Sequence, residues 1–176
     1  MGCSNLTGRF WIGSLWYYRT PTDAPSVEKA LTGVDFDNGL VEGFFLDNKN
    51  IIVALDSGAV ETVKLSFSDE GSPENSFFYL ERSRSVQEHD DLITSLVATP
   101  DKLLTCSYDR SIVLLEKDSL KLVSKIHEAH GDLISNLAVN TSNFDLACTA
   151  SNDGTVALWD LRQCETSQSC KLNCTF

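Results

Sequence analysis

The 176-residue chain is 42% hydrophobic and 22% charged, and 25 acidic against 14 basic residues give it a net charge of −11. This composition excludes a disordered protein and favours a globular domain, while the negative field disfavours nucleic acid and anionic membranes and suits a basic partner. No apolar run approaches the roughly 20 residues of a spanning helix, and the cysteine spacings match no zinc site, so no membrane, metal or cofactor is expected.

The first predicted element is the stretch LTGRFWIGSLWYY at residues 6–18, which holds Trp11 and Trp16. If it forms a strand, the two indoles lie on opposite faces, because side chains alternate along a strand. The two tryptophans therefore need separate explanations.

Strand-like segments recur along the rest of the chain. Runs rich in β-branched and aromatic residues alternate with clusters of Gly, Asp, Asn and Ser, at residues 51–55, 76–80, 92–98, 111–115, 133–139 and 155–159. No segment has a convincing amphipathic helical pattern, since VEKAL at 27–31 is short and follows a proline. The pattern predicts an all-β fold.

Several of these segments belong to an internal repeat. HDDLITSLVATPDKLLTCSYDRSIVLLEKD (89–118) and HGDLISNLAVNTSNFDLACTASNDGTVALWD (130–160) share H-x-D-L-I, an apolar run, S-x-D and a further strand, and a fainter copy covers residues 40–65. A period of roughly 40–45 residues with four short strands per unit is typical of propeller blades.

The copy at 130–160 resembles the WD-repeat family. His130 precedes the first strand, Ser151 ends the second, Asp153 lies in the turn, and Trp159 closes the third strand and is followed by aspartate. The resemblance implies a buried chain of hydrogen bonds from the Trp159 indole through the Ser151 hydroxyl and the His130 ring to the Asp153 carboxylate. The donors and acceptors of these four groups suit such a chain.

The other copies keep fewer of these residues. Residues 89–118 retain His89, Ser107 and Asp109 but have Leu115 where the tryptophan belongs. In the copy at 40–65, only a serine occupies the turn position and a valine replaces the tryptophan. We expect apolar packing to hold these copies.

Serine, histidine and aspartate are also the residue types of a serine hydrolase. That chemistry needs an exposed nucleophile and an oxyanion hole. The chain contains no G-x-S-x-G sequence, and the serine would be tied to a core tryptophan. We therefore predict a non-catalytic protein.

The chain supplies about three blades, whereas WD-repeat rings usually close with about seven. We expect a partial WD-repeat β-propeller over residues 1–176, as a piece of a longer protein. Its blade pieces are predicted at about 6–18, 30–65, 77–118 and 119–162, with a tail at 163–176.

Short stretches in the first half narrow the family. GRFWIGSLW (8–16), the PTDAP linker (21–25), DSGAVE (56–61) and EHDD (88–91) are similar to stretches in WD-repeat subunits of methylosomes, and the resemblance spans residues 6 to about 162. It implies a scaffold that binds protein arginine methyltransferase 5 and helps present Arg-rich Sm proteins and core histones for symmetric dimethylation, in the cytoplasm and nucleus. The net charge of −11 suits such basic substrates.

Counting back from Trp159 assigns roles to the two N-terminal tryptophans. Trp16 aligns with Trp159 as a core residue, and Trp11 aligns with the glycine of the turn between the second and third strands. A large aromatic at such a turn, beside Arg9 and Phe10, is expected to bind a partner, since Trp and Arg dominate interface hot spots. The methylosome resemblance implies insertion into the methyltransferase. The alternative is that Trp11 covers a neighbouring blade.

A second functional hypothesis comes from the sequence W-D-L-R at residues 159–162. It fits the W-D-x-R pattern by which some WD-repeat proteins dock on a cullin-type ubiquitin ligase. On this hypothesis the chain belongs to a substrate receptor of such a ligase.

Overall fold

The computed structural model describes residues 1–7, 10–68, 77–164 and 171–172, with the backbone alone at 5–7, 10–11, 164 and 171–172. These residues form β-strands, two short 3-10 turns and one short α-helix. Within that part of the chain, no helix has the length and apolarity needed to span a membrane. The all-β prediction is confirmed.

The chain divides into two compact units. The first unit contains residues 1–56 and 60–85, and the second contains residues 57–59 and 86–176. Each unit is built from antiparallel sheets in which strands that follow one another in sequence lie side by side.

The first unit begins with a three-stranded sheet in the order β1-β2-β3. Its strands are β1 (Gly2–Thr7), β2 (Phe10–Tyr17) and β3 (Thr32–Phe36). The connection from β2 to β3 contains two 3-10 turns, Pro21–Asp23 and Val27–Lys29, neither of which has a buried residue.

The second sheet of this unit has four strands in the order β4-β5-β6-β7. They are β4 (Leu40–Phe45), β5 (Asn50–Leu55), β6 (Ala59–Ser68) and β7 (Phe77–Gln87). β5 is buried from Ile51 to Leu55, which explains its unbroken apolar run: an inner strand with both faces covered needs no polar alternation.

The second unit contains two four-stranded sheets. The third sheet of the chain consists of β8 (Ile93–Ala98), β9 (Lys102–Ser107), β10 (Ile112–Glu116) and β11 (Leu122–Ile126). The fourth consists of β12 (Ile134–Val139), β13 (Leu146–Ser151), β14 (Val156–Asp160) and β15 (Lys171–Leu172), with helix α1 (Leu161–Cys164) after β14.

A single apolar core joins the third and fourth sheets. Leu104, Ile112 and Leu114 from the third sheet share it with Ile134 and other residues of the fourth. The hydroxyl of Thr94 in β8 also donates to the carbonyl of Ile134 in β12 at 2.7 Å. This bond satisfies a partly buried hydroxyl at the seam and ties β12 to β8.

The structure divides the strands into sheets at other points than the sequence repeats suggest. The predicted blade boundaries group three segments with the repeat that follows them: residues 32–36, 77–87 and 122–126. In the structure, each of these segments forms the outer strand of the preceding sheet. In the first sheet, for example, Trp16 of β2 pairs with Gly33 of β3. Sequence similarity marks the three inner strands, whereas the outer strand is specified by pairing with its neighbour.

Candidate functional site

A hydrogen-bonded chain in the fourth sheet starts at Trp159. Its indole N–H donates to Thr149 Oγ1 at 2.8 Å, and Thr149 Oγ1 lies 2.7 Å from His130 Nε2. Because the Asp153 carboxylate can only accept, the Nδ1 proton of His130 is donated to it at 3.2 Å, and in that tautomer Nε2 accepts the proton of the Thr149 hydroxyl. The chain thus runs in one direction, from indole to carboxylate.

Thr149 holds the place in this chain that the sequence assigned to Ser151. Trp159 pairs with Ala147 across the ladder, so Thr149 lies two residues along the same face of β13 and Ser151 lies four. At about 3.3 Å per residue, Ser151 is roughly 13 Å along the strand, beyond the reach of the indole. Its hydroxyl instead donates to the Leu133 carbonyl at 2.9 Å and accepts from the backbone N–H of Asp153 at 3.1 Å.

Asp153 ties its own turn to the loop that carries His130. One carboxylate oxygen accepts from the Gly131 amide at 2.8 Å, and the other accepts from the Thr155 amide at 2.9 Å and the Thr155 hydroxyl at 2.6 Å. The Thr155 hydroxyl, with these amides and His130, holds the pKa of Asp153 well below its usual range. The carboxylate is therefore ionised at neutral pH, and its charge-assisted hydrogen bonds tie the two loops together.

The third sheet repeats the arrangement without the tryptophan. His89 Nε2 lies 2.8 Å from Thr105 Oγ1, and His89 Nδ1 lies 3.0 Å from the Asp109 carboxylate. Ser107 corresponds to Ser151: its hydroxyl donates to the Asp91 carbonyl at 3.0 Å and accepts from the Asp109 amide at 3.1 Å.

Burial and hydrogen bonding shift the pKa values of His89 and Asp109 in this network. Burial of the imidazole lowers the pKa of His89, and it outweighs the opposing effect of the Asp109 charge. Burial would raise the pKa of Asp109, but hydrogen bonds from Ser111 and from the Asp90 amide outweigh it and lower that pKa to about 2. At neutral pH, a neutral imidazole therefore donates to an ionised carboxylate.

The threonines at 105 and 149 and the hydroxyls at 111 and 155 were not singled out from the sequence. Both copies nevertheless contain the same pattern, T-x-S-x-D-x-[S/T], at residues 105–111 and 149–155. The repetition of all four positions is the signal that could have identified them.

These networks bring a series of loops together on one face of the second unit. The His89 amide donates to the Gly58 carbonyl at 3.4 Å, the Ala129 amide donates to Arg110 at 3.0 Å, and the Asn152 amide donates to Leu133 at 3.1 Å. We call this the loop face; it comprises residues 57–58, 88–92, 108–111, 128–133 and 151–155. Its exposed carboxylates are Asp90, Asp91, Glu128 and Asp132.

The threonine, histidine and aspartate of each network have the order of a hydrolase triad, but their burial argues against that chemistry. Thr105 and Thr149 are 0% and 1% exposed, so a substrate carbonyl could not reach either hydroxyl. The Ser151 hydroxyl bonds backbone groups, and His130 bonds Thr149 in its place. The arrangement is suited to holding loops in position.

The predicted partner-binding residues Trp11, Arg9 and Phe10 have side chains outside the described residues. The backbone of Trp11, however, lies inside β2 opposite Leu6, and not in the turn that the sequence alignment indicated. The β1–β2 hairpin extends further from the tryptophan position than the β13–β14 hairpin does, so a spacing of five residues still falls on the strand.

Trp16, expected in the core, is half-buried and forms part of a cavity wall in the first unit. Its indole N–H donates to the Ser14 hydroxyl at 2.9 Å, and its ring packs against Gly33, where an added Cβ would lie 2.7 Å from Trp16 Cε3. The cavity has a volume of about 650 Å³ and is mainly apolar.

In the W-D-L-R sequence, Arg162 interacts with its own chain. Its guanidinium makes two hydrogen bonds to the buried Asp160 carboxylate, at 2.9 and 2.6 Å. This pairing lowers the pKa of Asp160 and raises that of Arg162. The arginine thus has a local role at the end of β14, and docking on a ubiquitin ligase stays a prediction.

Comparisons with known proteins agree with this geometry. The family model described as "WD domain, G-beta repeat" matches residues 121–160. Methylosome protein WDR77 of Xenopus laevis is 29% identical over 164 residues, which are 93% of this chain and 47% of that protein. The WD repeat-containing protein 55 homolog of Drosophila ananassae is 36% identical over 81 residues, covering 45% of this chain and 16% of that protein.

A solved structure supports the fold. The crystal structure of the C-terminal WD40 domain of Sif2 matches with a TM-score of 0.64 and 19% identity, over 87% of this chain and 40% of that one. The chain spans about half the length of the methylosome relative and less of the other proteins. The predicted fold class and the predicted resemblance are confirmed: the chain has the fold of a partial β-propeller, matches the WD-repeat family model at residues 121–160, and is similar to methylosome protein WDR77.

Proposed function

We propose that the chain is part of a non-catalytic adaptor that binds protein arginine methyltransferase 5 and helps present Arg-rich proteins for symmetric dimethylation. Sm proteins and core histones are the proposed substrates, and the cytoplasm and nucleus the proposed compartments. The observation that carries the proposal is the similarity to a methylosome protein along 93% of the chain.

The charge of the molecule supports a basic substrate. The net charge is −11, and the loop face carries four exposed carboxylates on loops fixed by backbone hydrogen bonds. Guanidinium groups pair well with carboxylates, and complementary fields accelerate the encounter of oppositely charged partners. Arg-rich segments fit this face better than acidic ones.

The methyltransferase contact is proposed at the β1–β2 hairpin. Trp11 is the proposed anchor, with Arg9 and Phe10 beside it. A hairpin end can insert a large aromatic side chain into a partner's pocket, and such anchors carry much of an interface's binding energy. The contact to the enzyme and the contact to the substrate would thus lie on different parts of the chain.

Binding of the purified 176-residue chain to the purified methyltransferase tests the proposal. We expect a salt-resistant complex detected by calorimetry, and separately a weak, salt-sensitive interaction of the chain with an Arg-Gly repeat peptide. The far-UV circular dichroism spectrum serves as the control for folding. A folded chain that binds neither the enzyme nor the peptide would refute the proposal.

A further inference from the structure

We propose that Thr20 is a phosphorylation site for a proline-directed protein kinase. The chain contains three Ser/Thr-Pro pairs, Thr20-Pro21, Ser72-Pro73 and Thr99-Pro100. The first and third lie in the described part of the chain, and the two threonines differ in exposure and in hydrogen bonding.

Thr20 lies where an enzyme can reach it. It is exposed and extended, with φ −126° and ψ 141°, three residues after the end of β2 and immediately before the first 3-10 turn. A kinase binds its substrate as an extended strand, so the residues after Thr20 must open from this turn. The turn has no buried residue and is held by backbone bonds such as Asp23 N–H to the Thr20 carbonyl at 3.2 Å. Opening it exposes no apolar core.

Thr99 has the same dipeptide in an inaccessible setting. It is 5% exposed and lies in the hairpin between β8 and β9. Its hydroxyl accepts from the Lys102 amide at 3.0 Å and lies 3.2 Å from an Asp101 carboxylate oxygen. Phosphorylation there would require the hairpin to unfold. The chain therefore contains its own matched control.

The reaction is ordinary phosphoryl transfer with a nucleoside triphosphate as co-substrate. The Thr20 hydroxyl oxygen bonds to the γ-phosphorus, the bond from that phosphorus to the bridging oxygen breaks, and the diphosphate leaves. The kinase's catalytic carboxylate accepts the hydroxyl proton. The product is a phosphothreonine with a charge of about −1.5 to −2 at neutral pH.

Phosphorylation would change the connection between β2 and β3. The Thr20 hydroxyl now donates to the Asp23 carboxylate, which also pairs with Lys29 at 3.3 Å. A phosphate in place of the hydroxyl repels Asp23 and competes for Lys29 and for the exposed Arg19. Arg19 and Pro21 line the cavity of about 650 Å³ beside Trp16, so the modification would move a wall of that cavity.

The test uses the folded 176-residue protein with a purified cyclin-dependent kinase and, separately, a mitogen-activated kinase, with phosphosites located by mass spectrometry. All proteins carry Ser72→Ala, because Ser72 lies outside the described residues. We expect phosphate at Thr20, at least tenfold less total incorporation in Thr20→Val, and unchanged incorporation in Thr99→Val. Heat-unfolded protein should gain phosphate at Thr99 as well.

Two outcomes would overturn the proposal. One is equal incorporation in the parent and in Thr20→Val, which would place the phosphate elsewhere. The other is an unmodified Thr20 in the folded protein, whether or not a peptide of residues 14–27 is phosphorylated. If Thr20 is modified, amide hydrogen exchange should increase at residues 20–31 and stay unchanged in β8 and β9.

Discussion

The Trp159 indole donates a 2.8 Å hydrogen bond to the Thr149 hydroxyl. The third sheet lacks the equivalent bond, because Leu115 occupies the tryptophan position there. In the fourth sheet, Thr149 thus bridges two buried partners, the indole and the His130 ring. In the third, Thr105 bridges to the His89 ring. The two threonines are equivalent in position, but removing their hydroxyls takes a hydrogen-bond partner from different numbers of buried groups.

Thr149→Val should therefore destabilise the protein more than Thr105→Val. The first change leaves both the Trp159 N–H and His130 Nε2 without the hydroxyl, whereas the second leaves only His89 Nε2. We expect losses of about 2–4 and about 1–2 kcal/mol in the free energy of unfolding, since each stranded buried group costs about 1–3 kcal/mol. Urea denaturation measures both. Equal losses would contradict the role given to the indole.

The cross-strand partners of the two positions predict a size compensation. Trp159 pairs with Ala147, whereas Leu115 pairs with Leu103. Leu115→Trp alone should overpack the buried site and cost about 1–3 kcal/mol. Combined with Leu103→Ala, the new indole gains space and can donate to Thr105. A double-mutant cycle should show a favourable coupling of at least about 1 kcal/mol; additive losses would contradict the proposed equivalence.

The buried imidazole of His89 predicts a loss of stability in mild acid. Its pKa in the folded state is lowered from 6.5, so below that pH the unfolded chain binds the proton more readily than the folded protein does. Its contribution is complete above pH 6.5 and is lost as the pH falls towards the lowered value. Urea midpoints between pH 7.5 and 5 measure the slope.

The contribution of His89 can be separated from that of Asp109 by a control variant and by the pH range. His89→Asn should flatten the slope in this pH range, even if the variant is less stable throughout. Asp109 acts at lower pH: its stabilisation is present above the unfolded pKa of 3.8 and is lost as the pH falls through about 2. A parent protein that gains stability between pH 7 and 5 would contradict the neutral, buried His89.

Gly58 and Gly154 form a matched pair for testing backbone contacts. Both have positive φ angles, +87° and +82°, but an added Cβ would lie 2.4 Å from the His89 carbonyl oxygen at Gly58 and would meet nothing within 4 Å at Gly154. Gly154→Ala should cost about 1–2 kcal/mol for the left-handed conformation alone. Gly58→Ala should cost at least about 1 kcal/mol more. Thermal melts of both variants test the close approach of Gly58 to the His89 carbonyl, and equal losses of stability would contradict it.

The proposed partner-binding role of Trp11 is tested against its neighbour on β2. Trp11→Ala should weaken binding to the methyltransferase by at least about 2 kcal/mol, or about thirtyfold in Kd. Ile12→Ala is the control, because Ile12 is the next residue on β2 and its side chain is 40% exposed. Calorimetry gives the affinities. Equal affinities for both variants would contradict the anchor.

The sequence predicted which loops pair better than it predicted the hydrogen-bond partners inside each sheet. The WD-repeat resemblance implied the pairing of His130 with Asp153, and the equivalent residues of the other copy, His89 and Asp109, pair in the same way. The sequence could not choose between Thr149 and Ser151, since residues two apart on a strand face the same side. Only the register, with Trp159 opposite Ala147, decides which hydroxyl is within reach.

The outer strands were harder to assign for a related reason. β3, β7 and β11 share no motif, and each is defined by its pairing with the preceding strand. The position of Trp11 depended on hairpin length, which a count from Trp16 cannot supply when one hairpin is longer than the other. Long-range pairing, and not local pattern, contains this information.

Several contacts of the loop face are made through main-chain amides, so the course of these loops does not depend on every side chain that they expose. Asp109 binds the amide of Asp90, and the Arg110 carbonyl accepts from the Ala129 amide, so neither contact uses the side chain of Asp90 or Arg110. Tyr108 and Asn152 likewise bond their neighbouring loops through backbone groups. Of these positions, Asp90, Tyr108 and Asn152 could be randomised in a display library while the loops keep their course, whereas Arg110 has a φ of 66° that restricts its replacements. The same scaffold could then be selected for new peptide preferences, with its stability set elsewhere.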